Sequence, residues 1–190
     1  ISNKKRIEIA RRIIDGASFN LLKNLKYYDS RGKDVEPIIE NIEKYREKIN
    51  DCQKIDELMG IEGNIRNAYY DAFNLIIDDF EFKSRTKQPP SNEVNALISF
   101  GNMLCYSQCL KAIHQTQLNP VISFLHAPGE RRYSLSLDLA EIFKPLLVDR
   151  VIFRVLNKKE LQKKDFDKKI NGIILKDKGK KTFISAIEER

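Results

Sequence analysis

Within residues 119–150, NPVISFLHAPGERRYSLSLDLAEIFKPLLVDR, a histidine and two acids fall close enough to act together: His126, Asp138 and Glu141. A helix-breaking Asn-Pro pair and a short apolar run deliver His126 to the edge of the loop Ala127-Pro128-Gly129. Asp138 and Glu141 follow on a helix-like segment. Three residues apart is almost one turn, so both carboxylates project from one face. An imidazole and two carboxylates near a turn suit a hard divalent cation. Acids at this spacing are also common on solvated helix faces, so the chemistry depends on what other elements bring here.

Those elements read as helices. From Asn3 to Tyr28 apolar residues recur at three- and four-residue steps (Ile7, Ala10, Ile13, Ile14, Ala17, Leu21, Leu22, Leu25), with Lys and Arg on the outer face. Asp29-Ser-Arg-Gly32 ends this helix, and Pro37 suits the first turn of the next, which runs to Ile49. A third helix is expected over Ile55 to Phe80. Glu62 lies on the flank of its apolar stripe between Gly60 and Gly63, which weaken a helix by about 1 kcal/mol each relative to Ala. Either these glycines allow close helix packing, or the backbone leaves room for a ligand beside Glu62.

Residues 82–91, with Lys83, Arg85, Lys87 and Pro89-Pro90, read as a basic and mobile loop. Asn92 is placed to cap a helix that carries Gly101, again a mark of close packing, and ends near His114. His114 there complements the helix dipole rather than serving catalysis. A further helix is expected from Leu135 to Leu156, with Pro145 removing the amide that would bond to the Glu141 carbonyl and kinking the helix there. Beyond a Lys-rich stretch, Gly172–Leu175 reads as a short strand, and Asp177 as the cap of a last helix, Lys180 to Arg190. The fold class is therefore all-α in one domain spanning 1–190, with at most a short β element near the C-terminus.

Lys and Arg outnumber Asp and Glu by 34 to 27, a net charge of +7. That balance favours a polyanionic partner such as nucleic acid, although a basic surface also serves solubility. Cys52, Cys105 and Cys109 form no C-x-x-C pair. Cys105 and Cys109 read as small buried hydrophobes rather than a metal pair, and a reducing cytoplasm fits. No apolar run is long enough to span a membrane, and the start ISNKKRIEIARR lacks a secretory signal pattern. Beginning inside a helical pattern without Met, the chain reads as part of a longer protein. Walker loops, dinucleotide fingerprints and a nucleophile elbow are absent from the sequence.

Three blocks carry a resemblance. They are Met59-Gly-Ile-Glu-Gly63 with Ala68-Tyr-Tyr-Asp-Ala-Phe73; Pro89-Pro90 with Asn95-Ala-Leu-Ile-Ser-Phe-Gly-Asn-Met-Leu-Cys-Tyr106; and Leu118-Asn-Pro with Phe124-Leu-His126, Ser134-Leu-Ser-Leu-Asp-Leu-Ala-Glu141 and Lys144-Pro-Leu-Leu-Val-Asp-Arg150. In order and spacing the chain resembles the helical catalytic domain of the CRISPR adaptation integrases, metal-dependent endonucleases of antiviral defence that insert spacers into a repeat array.

The resemblance implies that Glu62, His126 and Glu141 are the catalytic metal ligands. Family members often have Asp where Glu141 stands, and either acid supplies a hard oxygen donor. Asp138 matches a second acidic position, read as a support behind the ligands or an occasional ligand. The implied cofactor is Mg²⁺ or Mn²⁺, the nitrogen donor tilting the choice to Mn²⁺. The implied reaction is transesterification, a spacer DNA 3′-hydroxyl attacking a repeat phosphodiester; with water as nucleophile the same site is a nuclease.

Arg66, Arg131, Arg132 and Lys144 are candidate phosphate clamps, with ordinary surface charge as the alternative for each. The implied partners are spacer-precursor and CRISPR-repeat DNA, a small ferredoxin-like adaptation protein, and a second copy in a homodimer. In the family, dimerisation belongs to an N-terminal β-rich domain, which this sequence does not show. Two rival readings share the composition: a non-catalytic basic helical DNA-binding module, and a structural helical protein whose glycines and acids serve packing and capping.

Overall fold

The structure, a computed structural model, describes residues 2–127, 133–170 and 172–189. Ser2 caps α1 (Asn3–Asp29) by accepting from the Lys5 amide, and the stripe from Ala10 through Leu25 enters the core as its spacing predicts. The chain turns at Gly32, whose φ of +83° lies in the left-handed region that favours glycine. Next come α2 (Glu36–Glu47), with Pro37 in its first turn, a 3₁₀ turn (Ile49–Asp51), and α3 (Ile55–Asp71). A break at Ala72 leads into the short α4 (Phe73–Ile76).

Helical structure stops at Ile76, short of the expected Phe80. The Asn74 side chain explains the early stop. It donates to the Phe82 carbonyl (2.6 Å) and accepts from the Phe82 amide (2.8 Å), pulling the chain into a tight return. Ile77, Phe80 and Phe82 then reach the core from this non-helical return. Apolar residues at these positions satisfy the helical period and this return equally well, so periodicity cannot tell them apart.

The loop expected to be mobile is anchored. Fully buried Asn95 accepts from the Thr86 amide (3.0 Å) and Arg85 Nη1 (2.9 Å) and donates to the Ser84 carbonyl (2.9 Å), while Arg85 Nη2 donates to Ser99 Oγ (3.0 Å). Asn92 caps α5 (Glu93–His114) through the Asn95 amide, as its position predicts. Gly101 is the close approach read from the sequence: a Cβ there would lie 2.4 Å from Val148 Cγ1.

The helix α6 (Ser134–Lys144) packs between α1 and α5 and continues through a π-helical turn (Pro145–Asp149) into α7 (Arg150–Asn157). This is the irregularity expected at Pro145. Side chains of α1 reach its carbonyls: Asn20 Nδ2 donates to Ile142 O (2.8 Å) and buried Asn24 Nδ2 to Pro145 O (2.7 Å), which also accepts from the Arg150 amide. The turn rotates α6 relative to α7, so that Glu141 and Asp149 both approach Arg66.

Among the described residues the strands are β1 (Phe166–Lys169) and β2 (Gly172–Leu175), an antiparallel pair with Phe166 opposite Leu175. β2 lies where the sequence predicts a strand, whereas β1 lies in the Lys-rich stretch, which carries no strand signal. The last helix, α8 (Asp177–Glu188), starts earlier than expected, with Asp177 inside its first turn rather than at the cap. The all-α class with a short C-terminal β element holds.

The glycines of α3 differ from Gly101. A Cβ at Gly60 or Gly63 meets no atom within 4 Å, which removes close packing as their explanation and leaves open space beside Glu62. Gly60→Ala should therefore raise stability by about 0.5–1 kcal/mol, whereas Gly101→Ala should lower it by about 1–3 kcal/mol through overpacking. Urea midpoints of the two variants check both signs.

Candidate active site

Asp138 organises the approach to His126. Its side chain is wholly buried. Oδ2 accepts from the Phe124 amide (2.6 Å) and the Leu125 amide (3.0 Å), and Oδ1 from the His126 amide (2.9 Å) and His126 Nδ1 (2.8 Å). These four donors fill the acceptor capacity of one carboxylate. A carboxylate that only accepts favours a proton on Nδ1, the tautomer in which the Nε2 of a neutral imidazole carries the lone pair. Arg6 Nε donates to the Phe124 carbonyl (2.9 Å) and Ser123 Oγ to the His126 carbonyl (2.7 Å), so α1 and the loop itself hold the segment that carries the histidine.

His126, Glu62 and Glu141 line one cavity of about 850 Å³ together with Gly63, Arg66 and Lys144. α3 supplies Glu62 and Arg66, α6 supplies Glu141 and Lys144, and the loop before α6 supplies the histidine. Glu141 Oε1 accepts from Lys144 Nζ (2.5 Å) and Oε2 from Arg66 Nη2 (2.7 Å). Burial pushes its pKa up, but Lys144 and Arg66 outweigh burial and hold the carboxyl below the usual range. Burial likewise opposes the charge on Lys144, yet Glu141 raises its pKa on balance. Glu62 is more open, with Arg66 Nε 3.6 Å away.

Behind Arg66 stands Asp149, buried at the end of the π-helical turn and 3.9 Å from Nη1. Burial raises its pKa to about 6 against the pull of Arg66 and Lys144. Arg66 is thus bracketed by Glu62, Glu141 and Asp149, far from ordinary surface charge. Lys144 is equally enclosed, its ammonium 4.7 Å from the centre of the Tyr106 ring. Arg131 and Arg132, with Pro128 and Gly129, lie outside the described residues. His114 packs its ring edge-on against Tyr133 and is not among the residues lining the cavity.

Asp149 and Arg85 escaped the sequence reading as site residues. Asp149 had a signal in its place four residues beyond Pro145, where a π-helical turn redirects side chains. Arg85, on the anchored loop, lines the same cavity with Lys87, and buried Asn95 is what fixes it there. Cys105 and Cys109 are buried and free, as expected.

Two carboxylates and an imidazole Nε2 are donor types that suit a hard divalent cation. No group of three His, Cys, Asp or Glu side chains among the described residues is gathered as a ready-made ligand set, and both Glu141 oxygens are engaged by cations. The donors fit such an ion once Glu141 leaves Lys144 and Arg66; Asp138 has no oxygen to offer without releasing backbone amides.

Residues 1–189 match the family described as CRISPR associated protein Cas1. Curated relatives include the CRISPR-associated endonuclease Cas1 of Fusobacterium nucleatum, 47% identical over all of this chain and 56% of its own length. The corresponding protein of Haloferax volcanii is 42% identical over 98% of this chain and 57% of its own length. Among solved structures, a Cas1 protein from Thermotoga maritima superposes with a TM-score of 0.92 at 39% identity, covering 100% of this chain and 59% of that one. A casposase bound to integration product shares the fold, with a TM-score of 0.89 at 24% identity over 99% of this chain and 56% of that one. The chain belongs to the Cas1 family. It spans a little over half the length of the curated relatives it matches. Among the described residues no helix is long and apolar enough to cross a membrane.

Proposed function

We propose that this domain carries the catalytic centre of a divalent-metal-dependent DNA endonuclease and integrase of CRISPR adaptation, and that Glu62, His126 and Glu141 hold the ion, Mn²⁺ or Mg²⁺. The observation that carries the proposal is the convergence of these side chains from α3, a loop and α6 on one cavity, with His126 Nε2 left available by Asp138. The name endonuclease borne by the relatives of Fusobacterium nucleatum and Haloferax volcanii supports it. The ion, when bound, would polarise the phosphoryl oxygen and stabilise charge on the attacking and leaving oxygens.

The residues of the chain supply the rest. Asp138 keeps the His126 ring in one orientation and one tautomer. Glu141, paired with Lys144 and Arg66, would be one of the residues that hold the cation, and a Lys144 ammonium freed from it would be placed to meet a phosphate oxygen of the DNA. Arg66 keeps Asp149 as a counter-charge and stays on the cavity wall as a second phosphate contact, while Arg85 and Lys87 extend the basic rim. No side chain is asked to be the nucleophile, which is a DNA 3′-hydroxyl in strand transfer and water in cleavage. The DNA partners are spacer precursor and repeat. The proposed protein partners are a small ferredoxin-like protein and a second copy of the chain.

The ion pairs on Glu141 favour a second reading, a non-catalytic basic module in which the carboxylate only neutralises two buried cations. A cleavage and strand-transfer assay on branched DNA separates the two. His126→Ala should lose at least ~10²-fold in Mn²⁺-dependent turnover, the scale of losing a key electrostatic group, with its fold intact by circular dichroism. Normal turnover by this variant would make the histidine structural.

A further inference from the structure

A second cavity, of about 410 Å³, shares no lining residue with the first and opens where the end of α1 meets α7. Its walls combine aromatic rings with cations. Tyr27 is exposed, and the Arg31 guanidinium lies 3.6 Å from the centre of its ring, forming a flat cationic layer. Tyr28 packs edge-on against both Tyr27 and Phe153. Arg150 and Arg154 of α7, and Lys158 just beyond it, supply further positive charge, and no acid among the described residues lines the cavity. Arg154 is neutralised by Glu189 (3.0 Å) and Glu160 (3.6 Å). Arg31, Arg150 and Lys158 have no carboxylate partner among the described residues.

The cavity also holds unmet hydrogen-bonding capacity. Arg154 Nε and Asn157 Oδ1, a donor and an acceptor on two residues that line the cavity, are buried and have no hydrogen-bond partner among the described residues, an uncommon condition for either atom. A flat ring to layer on a guanidinium or tyrosine face, an anionic group for unpaired cations, and edge atoms able both to give and to take a hydrogen bond describe one ligand chemistry.

We infer that this pocket binds a nucleotide, its base layered on the Tyr27–Arg31 stack and its phosphate held by Arg31, Arg150 and Lys158, at a site separate from the catalytic cavity. The volume suits one nucleotide unit. That unit is either a free nucleoside phosphate or one residue of a DNA strand.

The test uses deoxyadenosine monophosphate by calorimetry and a short fluorescent single-stranded oligonucleotide by anisotropy. Each probe is titrated into the wild type, the double variant Arg31→Glu/Lys158→Glu, Tyr27→Ala, and Lys144→Met as a control in the other cavity. All the pocket substitutions are at exposed positions, and unfolding midpoints check that the fold survives. The inference predicts that the double variant weakens binding by about tenfold or more and Tyr27→Ala by a smaller factor, with Lys144→Met keeping a pocket-dependent component. Loss seen with the mononucleotide identifies a free nucleotide as ligand, and loss seen only with the oligonucleotide identifies a strand. Wild-type affinity for both probes in the pocket variants, or no binding of either probe by the wild type, would overturn it.

Discussion

Glu141→Ala is expected to damage the fold and the activity at once, and the two losses can be separated. The glutamate is the carboxylate partner of Lys144 and the nearest of those around Arg66, and all three side chains are largely buried. Removing one member of a buried ion pair leaves the other uncompensated, at a cost of about 3–5 kcal/mol. For a domain of this size each kcal/mol is worth roughly 2–4 °C in Tm, so melting should fall by roughly 6–20 °C. The double variant Glu141→Gln/Lys144→Met removes one cation with the anion and keeps the volume. It should recover most of that stability and none of the metal-dependent cleavage. Recovery of cleavage together with stability would show Glu141 to be a counter-ion alone.

Asp138→Ala should be comparably severe for a different reason. Three backbone amides and the imidazole would lose their acceptor inside the protein. Each unsatisfied buried donor costs about 1–3 kcal/mol, so a loss of about 4 kcal/mol is expected after local relaxation. Asp138→Asn is the gentler probe: its amide oxygen can still accept, while its NH₂ faces amides that also donate. Disturbing the group that orients a ligating histidine typically costs 10–100-fold in metal affinity or activity, and that range is expected here. A near-native midpoint in chemical unfolding of Asp138→Ala would contradict the account of this carboxylate as the hub of the 124–126 loop.

These two acids illustrate what could be read in advance. Spacing placed Asp138 and Glu141 on one helical face and could not rank them, because both occupy the same local environment in the sequence. What separates them is tertiary. One meets a loop whose amides all turn inwards; the other meets Arg66, brought across from α3. The end of α1 and the start of α5 were legible because Gly32 and Asn92 act locally. The irregular turn after Glu141 was legible for the same reason, since a proline removes its own amide.

The early end of α3 and α4 was hidden, because Asn74 acts across a return that no period describes. Gly60 and Gly63 were recognised as unusual, but only the open space around them decides between packing and ligand room. The resemblance named Glu62 and His126 from short blocks; Asn95 and Asp149 stand in those blocks too, but their contacts with Arg85 and Arg66 are tertiary and no spacing shows them.

The central claim is that Glu62, His126 and Glu141 jointly hold one divalent ion in the cavity they line. Its most direct test is a calorimetric Mn²⁺ titration of the wild type and of Glu62→Ala, His126→Ala and Glu141→Ala, each with branched DNA present and with folding checked by thermal unfolding. The account predicts one DNA-supported binding event in the wild type that is lost in all three folded variants. Wild-type Mn²⁺ binding in all three variants, or none in the wild type with DNA bound, would contradict it.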